Sequence, residues 1–495
     1  MSPLKAAGAL AASLGTALLL LAIPGPEPRV APAPERGGAF AWDRDAFWRG
    51  LETRFEAVRA EGCAAAAPAA ARGVAGIARG LAALERRAVG PDAPVLDSLE
   101  AAFFTLGPVV AACPARLREL VALEQRMRSA VKEQSRRWDV SAAYARRRLY
   151  RALYGGRGVV EELLLHHPDS VPALHVAPDV PSATPSAVVQ GVRIHSGDIL
   201  VSRGGYPTSA LIARGNDYPG NFSHVALVHV DSATGAASAI EAHIESGVSV
   251  STAERYLADK KLRILVLRPR PDLPQLAADP MLPHRAASAA LSRARAGHVA
   301  YDFAMDYADP SKLFCSEVAS SAYLPLGVRL WTGLSTISAP GLRRWLAAFG
   351  VRHFETQEPS DLEYDPQLAV VAEWRDSAWL LRDHVDNAVI DAMLEGAERG
   401  DQLRYEWYAL PPARLAKAYS WALNRLGRAG PIPEGTSARA ALRNRAFSGR
   451  QRALVARVRA EADRYAAERG YPPPYWALLD LARRAAGAAP GAATR

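Results

Sequence analysis

The spacing of hydrophobic positions changes along this chain of 495 residues. Over residues 40–167 apolar side chains recur three and four positions apart, for example at Phe47, Leu51 and Phe55. This spacing predicts a domain of amphipathic helices, with breaks at Gly90-Pro91 and Gly107-Pro108. The same helical spacing returns over residues 376–483.

A different pattern occupies the middle of the chain. Short apolar or β-branched runs separated by turn residues predict strands at 199–201, 225–230, 248–251 and 264–267. Helices are predicted at 284–296 and 315–324, and Ser251-x-x-Glu254 has the spacing of a capping box that opens a short helix. Together these elements predict an α+β domain over residues 191–375.

The composition of the connecting segments completes the predicted organisation. Residues 1–39 form a signal peptide or N-terminal membrane anchor followed by a Pro-rich linker, and residues 40–167 form the helical domain. Residues 168–190 lack periodicity and are predicted to be a linker. Residues 376–495 form a C-terminal helical region with a flexible tail.

The N-terminal segment predicts the cellular compartment. Lys5 precedes an uncharged run over residues 6–23, and Pro24-Gly25-Pro26 ends it. As a helix the run would reach about 27 Å, close to the thickness of a hydrocarbon core. It therefore predicts an exported protein, secreted or held on the periplasmic side of the inner membrane. A buried apolar helix is the alternative for this run.

The chain has three cysteines: Cys63, Cys113 and Cys315. The first two lie in Ala-rich segments predicted to be neighbouring helices, and in an oxidising compartment they could form a disulfide. The alternative is that both are small buried apolar residues. Either way Cys315 is left as an unpaired cysteine.

Composition and charge exclude several classes of protein. Hydrophobic residues make up 49% and charged residues 22% of the chain, which excludes wholesale disorder. The net charge of +9 comes mainly from arginines that are spread along the chain. No RNP-type aromatic run or zinc finger is present, so no nucleic-acid partner is predicted. Weak attraction to anionic lipids or cell-wall polymers is compatible with this charge.

The segment around Cys315 could carry nucleophilic chemistry. Cys315, Val318, Ala319 and Ala322 fall on one face of the predicted helix 315–324. A cysteine in the first turn of a helix lies near free N–H groups and the positive end of the helix dipole, which favour a thiolate. The thiolate is the competent nucleophile, and the same N–H groups could receive an oxyanion. The alternative is a small cysteine in the core.

A predicted hairpin supplies a base for this nucleophile. If Val230 pairs with Ala237, then His224, Glu241 and His243 share one face of the hairpin. A histidine with an acidic residue to orient it is what a cysteine hydrolase requires. A register slip of one residue would move Glu241 to the opposite face. His243 in place of Glu241 is an alternative orienting residue.

Several motifs together resemble a known family. They are Ser196-Gly197-Asp198-Ile199-Leu200, Ser223-His224-Val225-Ala226-Leu227, Glu241-Ala242, Leu267-Arg268-Pro269, Tyr301-Asp302 and Phe314-Cys315-Ser316-Glu317. In this order they resemble the permuted papain-like amidases of the YiiX/YaeF type, which are relatives of the NlpC-type cysteine peptidases. The resemblance covers about residues 192–340. It implies a permuted papain-like fold, a small antiparallel sheet or barrel with helices, here flanked by helical regions. It also implies Cys315 as nucleophile, His224 as base and Glu241 as the third, polar member.

The predicted function is an exported cysteine hydrolase that cleaves an amide or ester bond through a thioester. The expected substrate is an amide-containing cell-wall peptide or an envelope lipid, and no cofactor or metal is expected. Acyl transfer stays open because it shares the thioester chemistry. The alternatives are a zinc hydrolase that uses His224, Glu241 and His243, and a non-catalytic envelope binding or scaffold protein.

Overall fold

The computed structural model describes residues 20–28, 30, 39–42, 45–178 and 180–487. Most of the predicted N-terminal anchor and the last residues of the predicted tail lie outside these ranges. The predicted fold class is confirmed, because an antiparallel sheet lies between an N-terminal and a C-terminal helical region.

Between residues 45 and 166, which the structure describes throughout, five helices form the N-terminal region. They are α1 Asp45–Glu61, α2 Cys63–Glu85, α3 Pro94–Ala112, α4 Leu117–Ser135 and α5 Ala143–His166. Their apolar stripes meet in one core, as the 3.6-residue period predicts. The Cys63–Cys113 disulfide is present and joins the start of α2 to the residue that follows α3.

The predicted helix break at Gly107-Pro108 is wrong. Helix α3 continues through both residues to Ala112. Its flanking side chains, Val109 and Val110, are buried in the core, and this packing offsets the hydrogen bond that a proline cannot make. A side chain at position 107 would meet Val159 of α5 at 3.2 Å, so the glycine allows the two helices to approach closely.

Helix α3 also has the length and composition of a membrane span. Among the described residues it alone passes that test, and 44% of its most apolar window is buried. It packs against α1, α2 and α5. The core helix of a soluble protein meets the same criterion.

A seven-stranded antiparallel sheet forms the centre of the molecule, in the order β1-β11-β8-β4-β5-β6-β7. The strands are β1 Leu174–Val176, β4 Ile199–Gly204, β5 His224–Val230, β6 Ala237–His243, β7 Gly247–Thr252, β8 Lys261–Pro269 and β11 Leu368–Trp374. The four predicted strands are therefore confirmed. Two short pairs, β2 Ser186–Val189 with β3 Val192–His195, and β9 Ser335–Thr336 with β10 Glu355–Thr356, lie outside this sheet. Strands β1 and β2 lie within the segment predicted to be a linker.

Helices cover the sheet and extend to the C-terminus. Those within the central region are α6 Pro207–Arg214, α7 Ala253–Ala258, α8 Pro274–Ala278, α9 Leu282–Ala296, α10 Glu317–Tyr323, α11 Pro340–Phe349 and α12 Asp361–Tyr364. The C-terminal helices are α13 Ser377–Glu398, α14 Leu410–Arg425, α15 Ala438–Arg469 and α16 Tyr475–Ala485. The helical pattern predicted after residue 376 is confirmed.

Buried ion pairs join the N-terminal helices to the sheet. Arg157 of α5 bonds to Glu363 of α12 and to Glu373 of β11, and Arg128 of α4 bonds to Glu373 at 2.9 Å. On the next turn of α5, Glu161 accepts hydrogen bonds from Arg263 of β8 and from a ring nitrogen of His384 in α13. Both groups of residues are buried, so the helical region and the sheet share one polar interior.

Candidate active site

The hairpin formed by β5 and β6 has the predicted register. Val230 lies opposite Ala237, and Ala226 lies opposite Glu241. Alternating residues of the two strands therefore point to the same face, which places Glu241 beside His224 at the open end of the hairpin. His243, two residues further along β6, shares this face, and its ring stacks on that of His224 with 5.5 Å between centroids.

Glu241 connects the polar groups of the site. Its Oε2 lies 2.7 Å from His224 Nε2, and its Oε1 lies 3.2 Å from His243 Nε2 and accepts a hydrogen bond from Ser251 Oγ at 3.2 Å. Burial alone would raise the pKa of Glu241, but the hydrogen bonds and charges of the two histidines hold that pKa well below its usual range. Glu241 is therefore a carboxylate at neutral pH, and it can accept from both histidines.

His224 is suited to act as a neutral base. Burial lowers its pKa from the ordinary value of 6.5, and the hydrogen bond to Glu241 only partly opposes this shift. Because the carboxylate accepts a hydrogen bond from Nε2–H, the other ring nitrogen, Nδ1, keeps a lone pair. This is the nitrogen that can accept a proton. His243 differs, since the hydrogen bond to Glu241 raises its pKa.

Cys315 lies just before its helix and not in the first turn. Helix α10 begins at Glu317, with Ser316 as its N-cap, so the predicted start of this helix at residue 315 is wrong by two residues. The Cys315 thiol donates a weak hydrogen bond to the carbonyl oxygen of Ser223 at 3.7 Å, next to His224 in the sequence. The structure thus brings Cys315 to the end of β5 that carries His224.

The expected thiolate is not found in this resting arrangement. Cys315 is 2% exposed, and its burial together with the charge of nearby Glu358 raises the pKa of the thiol to about 12. The backbone amides of Val225, Cys315 and Ser316 face the sulfur and oppose this rise. The resting site therefore has a neutral thiol at the end of β5 that carries the neutral His224 imidazole, because burial outweighs the amides at the helix start.

Side-chain contacts hold the turn that carries Cys315. A carboxylate oxygen of Glu317 accepts a hydrogen bond from the Phe314 N–H at 2.9 Å, and Ser316 Oγ donates to the Gln357 carbonyl oxygen. Asp302 accepts hydrogen bonds from the amides of the following loop, at Ala304 and Asp306. These acidic motif residues position backbone and do not touch the thiol.

Another motif pair supports the sheet at a distance from the thiol. Arg268 of β8 donates two hydrogen bonds of 2.8 Å to the carboxylate of Asp198, just before β4. The pair is buried and fixes the turn that enters β4. The Ser-Gly-Asp and Leu-Arg-Pro motifs are thus explained by folding.

The sequence did not indicate three further residues of the site. Ser251 was assigned to a capping box, but the N-cap of α7 is Thr252, whose hydroxyl accepts from Arg255 N–H, and Ser251 instead donates to Glu241. Tyr256 lies over His224 at 6.4 Å between ring centroids, and its hydroxyl donates to Ser202 Oγ at 2.8 Å. Glu358 is brought near Cys315 from a loop that has no recognisable pattern. Only the period-2 alternation of β7 could have revealed Ser251.

The same cluster could hold a metal ion. One ligand atom each from His224, Glu241 and His243 lies within 4.8 Å of the others. Two imidazoles and a carboxylate form a donor set that suits zinc. A metal would compete with the hydrogen bonds that now join the histidines to Glu241.

The comparisons with known proteins concern the central region. Residues 193–372 match a family model described as permuted papain-like amidase enzyme, YaeF/YiiX, C92 family. This match confirms the resemblance over that segment and supports a hydrolase of the amidase class. A crystal structure described as the metalloprotein yiiX from Escherichia coli O157:H7 is 18% identical and has a TM-score of 0.29, with 36% of this chain and 95% of that chain covered. No curated protein matches the chain.

Proposed function

We propose that the central domain is a cysteine amidase in which Cys315 is the nucleophile, His224 the base and Glu241 the residue that orients His224. The observation that carries this proposal is the 2.7 Å contact between His224 and Glu241, at the end of β5 where the buried Cys315 contacts the backbone of the preceding residue, Ser223. The family match over residues 193–372 supports the amidase class. Hydrolysis of an ester by the same residues is part of the proposal.

The reaction begins from the neutral pair. As the Cys315 sulfur attacks the carbonyl carbon and a C–S bond forms, the thiol proton passes to His224 Nδ1. Glu241 stabilises the resulting imidazolium through Nε2–H. In this proposal the amides of Cys315 and Ser316, which face the sulfur, hold the developing oxyanion.

The second half of the reaction releases the product. His224 returns the proton to the leaving nitrogen, the C–N bond breaks, and a thioester remains on Cys315. Water then gives a proton to His224 and attacks the thioester carbonyl carbon, the C–S bond breaks and the carboxylic acid leaves. His224 returns the proton to the Cys315 sulfur, which restores the thiol. If an amine or alcohol replaces water, the same steps give acyl transfer.

We propose the class of substrate from the cellular compartment that the sequence predicts for the protein. The apolar run over residues 6–23 and the positive charge of the chain favour an exported protein at the inner membrane, where cell-wall peptides and envelope lipids are within reach. Both classes contain amide or ester carbonyl groups. We include both in the test.

The test is a substrate screen with the full chain in detergent. The protein would be incubated with cell-wall peptide fragments and with N-acylated and O-acylated lipids, and the products identified by mass spectrometry. We expect cleavage in at least one class, loss of product with Cys315→Ser, and an acyl adduct on Cys315 at short times. Turnover that survives in Cys315→Ser would contradict the proposal.

The cluster of His224, Glu241 and His243 supports a second candidate, a zinc hydrolase. A zinc ion bound there would supply Lewis-acid activation of a carbonyl group or of water. The two candidates differ in their response to chelation and to substitution. For the zinc hydrolase, His243→Ala and chelators would abolish turnover, while Cys315→Ser would retain it. For the cysteine amidase, Cys315→Ser would abolish turnover, while His243→Ala and chelators would leave it in place.

A further inference from the structure

A patch of large apolar side chains is exposed along α14 and the turn before it. We call it the α14 surface, and its members are Trp407, Tyr408, Leu415, Tyr419, Trp421 and Leu426, each between 57% and 74% exposed. With 3.6 residues per turn, Leu415, Tyr419, Trp421 and Leu426 fall within one half of the helix circumference, and Trp407 and Tyr408 lie in the turn before the helix. Soluble proteins rarely leave such a continuous apolar patch in water.

The side of α14 that faces the protein combines apolar and polar contacts, and Leu410 and Ser420 are buried there. Lys417 Nζ donates to the carbonyl oxygens of Pro433 and Glu434 at 2.8 and 2.7 Å. Ser420 Oγ accepts a hydrogen bond from Ile432 N–H at 2.9 Å. The helix therefore packs on the protein through a mixed face and leaves its large aromatic side chains in solvent, unlike an ordinary surface helix, whose apolar side packs on the core.

The charge of this region is wholly positive. Residues 407–429 contain Arg414, Lys417, Arg425 and Arg428 and no acidic residue. The Arg425 guanidinium lies 4.3 Å from the centroid of the Trp421 ring, on the exposed side. An aromatic and basic surface of this kind is complementary to the interface of a membrane that contains anionic lipids.

The end of the N-terminal apolar run lies against the same helix. Arg414 donates to the carbonyl oxygens of Leu21 and Ile23 at 2.8 Å and of Leu20 at 3.3 Å. Three residues further along, the Pro26 carbonyl oxygen accepts a hydrogen bond of 2.6 Å from Arg439 of α15. These contacts hold residues 20–26, where the described part of the chain begins, next to α14.

We infer that the α14 surface lies in the headgroup region of an anionic lipid bilayer, as a second membrane contact beside the N-terminal run. Its aromatic rings would lie at the boundary between headgroups and acyl chains, and Arg425 and Arg428 would pair with lipid phosphates. This contact would hold the body of the protein at a fixed orientation to the membrane. The inference concerns membrane binding and does not depend on the chemistry proposed for Cys315.

Tryptophan quenching by brominated lipids tests this inference. The full chain would be reconstituted into phosphatidylglycerol–phosphatidylcholine vesicles with or without bromine on the acyl chains. The protein has 10 tryptophans, the first at position 42, so the apolar run itself contributes no signal. The variants are Trp407→Phe/Trp421→Phe and, as the matched control, Trp476→Phe, whose ring packs on Trp48.

We expect bromine to quench the wild type and the Trp476→Phe control alike, and the double variant to lose most of that quenching. Vesicles of phosphatidylcholine alone should give weaker quenching. Equal quenching in the wild type and the double variant would overturn the inference, as would self-association through this surface with no quenching. The variant Cys315→Ser should behave as the wild type, so failure of the proposed catalysis would not affect this result.

Discussion

Glu241 contacts both histidines of the site, and the two contacts differ in length and in the exposure of the histidine. The shorter contact, 2.7 Å, goes to His224, which is the more enclosed ring with 16% of its side chain exposed. His243 lies at 3.2 Å with 37% exposed. The geometry therefore favours Glu241 as the residue that orients His224, with His243 as a second partner of the same carboxylate.

Substitution of Glu241 and His243 should separate these roles. We expect Glu241→Gln to lower the rate of amide cleavage on the order of 10³–10⁴-fold, because the amide can hold His224 in the wrong tautomer. His243→Ala should lower it less than about tenfold, since His224 keeps its carboxylate. Steady-state kinetics on the substrate found in the screen would measure both. A larger loss with His243→Ala would make His243 the orienting residue.

The pH dependence of cleavage follows from His224. Only the neutral imidazole can accept the thiol proton, and burial lowers the pKa of His224 below 6.5. The rate should therefore stay high as the pH falls to 6.5 and decline only below it. Glu241→Gln should move this acidic limb to still lower pH, because the carboxylate favours the protonated ring. A limb above 6.5 in the wild type would contradict this account.

At the residue scale, the sequence predicted those contacts that depend on the alternation of side chains along two consecutive strands. His224, Glu241 and His243 could be placed on one face because a two-strand register follows from a short turn and a period of two. The burial of Cys315 and the approach of Glu358 depend on the packing of loops and strands distant in sequence. Those contacts have no local signal, and they set the protonation state of the thiol.

The disulfide between Cys63 and Cys113 covalently links two helices of the N-terminal region. It closes a segment with a sequence separation of 50 residues and ties α2 to α3. We expect Cys63→Ser/Cys113→Ser to lower the free energy of unfolding of the helical region by about 2–4 kcal/mol. Urea unfolding followed by circular dichroism would measure this.

The matched control for the disulfide is Cys315→Ser, which removes the remaining cysteine and leaves the cross-link intact. It should change the urea midpoint far less than the double variant. An unchanged midpoint in the double variant would show that the link contributes nothing to stability.

At the scale of elements, helices and strands were predicted more reliably than their ends. Gly107-Pro108 has the composition of a break, but burial of the flanking residues keeps α3 continuous. The order of the sheet could not be predicted, because β4 lies between β5 and β8 and pairs with a strand about 65 residues away. Only the hairpins of consecutive strands follow directly from the sequence.

At the scale of the whole molecule, buried ion pairs connect the helical region to the sheet. Arg157→Met would remove the ion-pair partner of the buried Glu363 and leave the buried Glu373 with Arg128 and the more distant Arg375. We expect a cost of about 3–5 kcal/mol in unfolding free energy. The control, Arg126→Met, breaks an exposed pair with Glu85 and should cost less than about 1 kcal/mol. Thermal unfolding of the two variants would compare them, and equal midpoints would contradict a structural role for the buried pairs.

The central claim is that His224 activates Cys315, and the pH profile of Cys315 alkylation tests it most directly. Full-length protein would react with limiting iodoacetamide from pH 5 to pH 10, and the labelled peptides would be quantified by mass spectrometry. In the wild type, transfer of the thiol proton from Cys315 to His224 does not change the net charge of the two residues. The fraction of molecules with a thiolate therefore does not vary with pH while the two residues together hold one proton. Labelling of Cys315 should therefore show a plateau between the pKa of His224 and the thiol pKa of about 12.

The comparison is with His224→Ala, in which the thiol must ionise alone. We predict that the plateau disappears and that labelling rises steadily with pH across the whole range. The His243→Ala variant should keep the plateau. Identical profiles for the wild type and His224→Ala would contradict the account, because Cys315 would then react without assistance from His224.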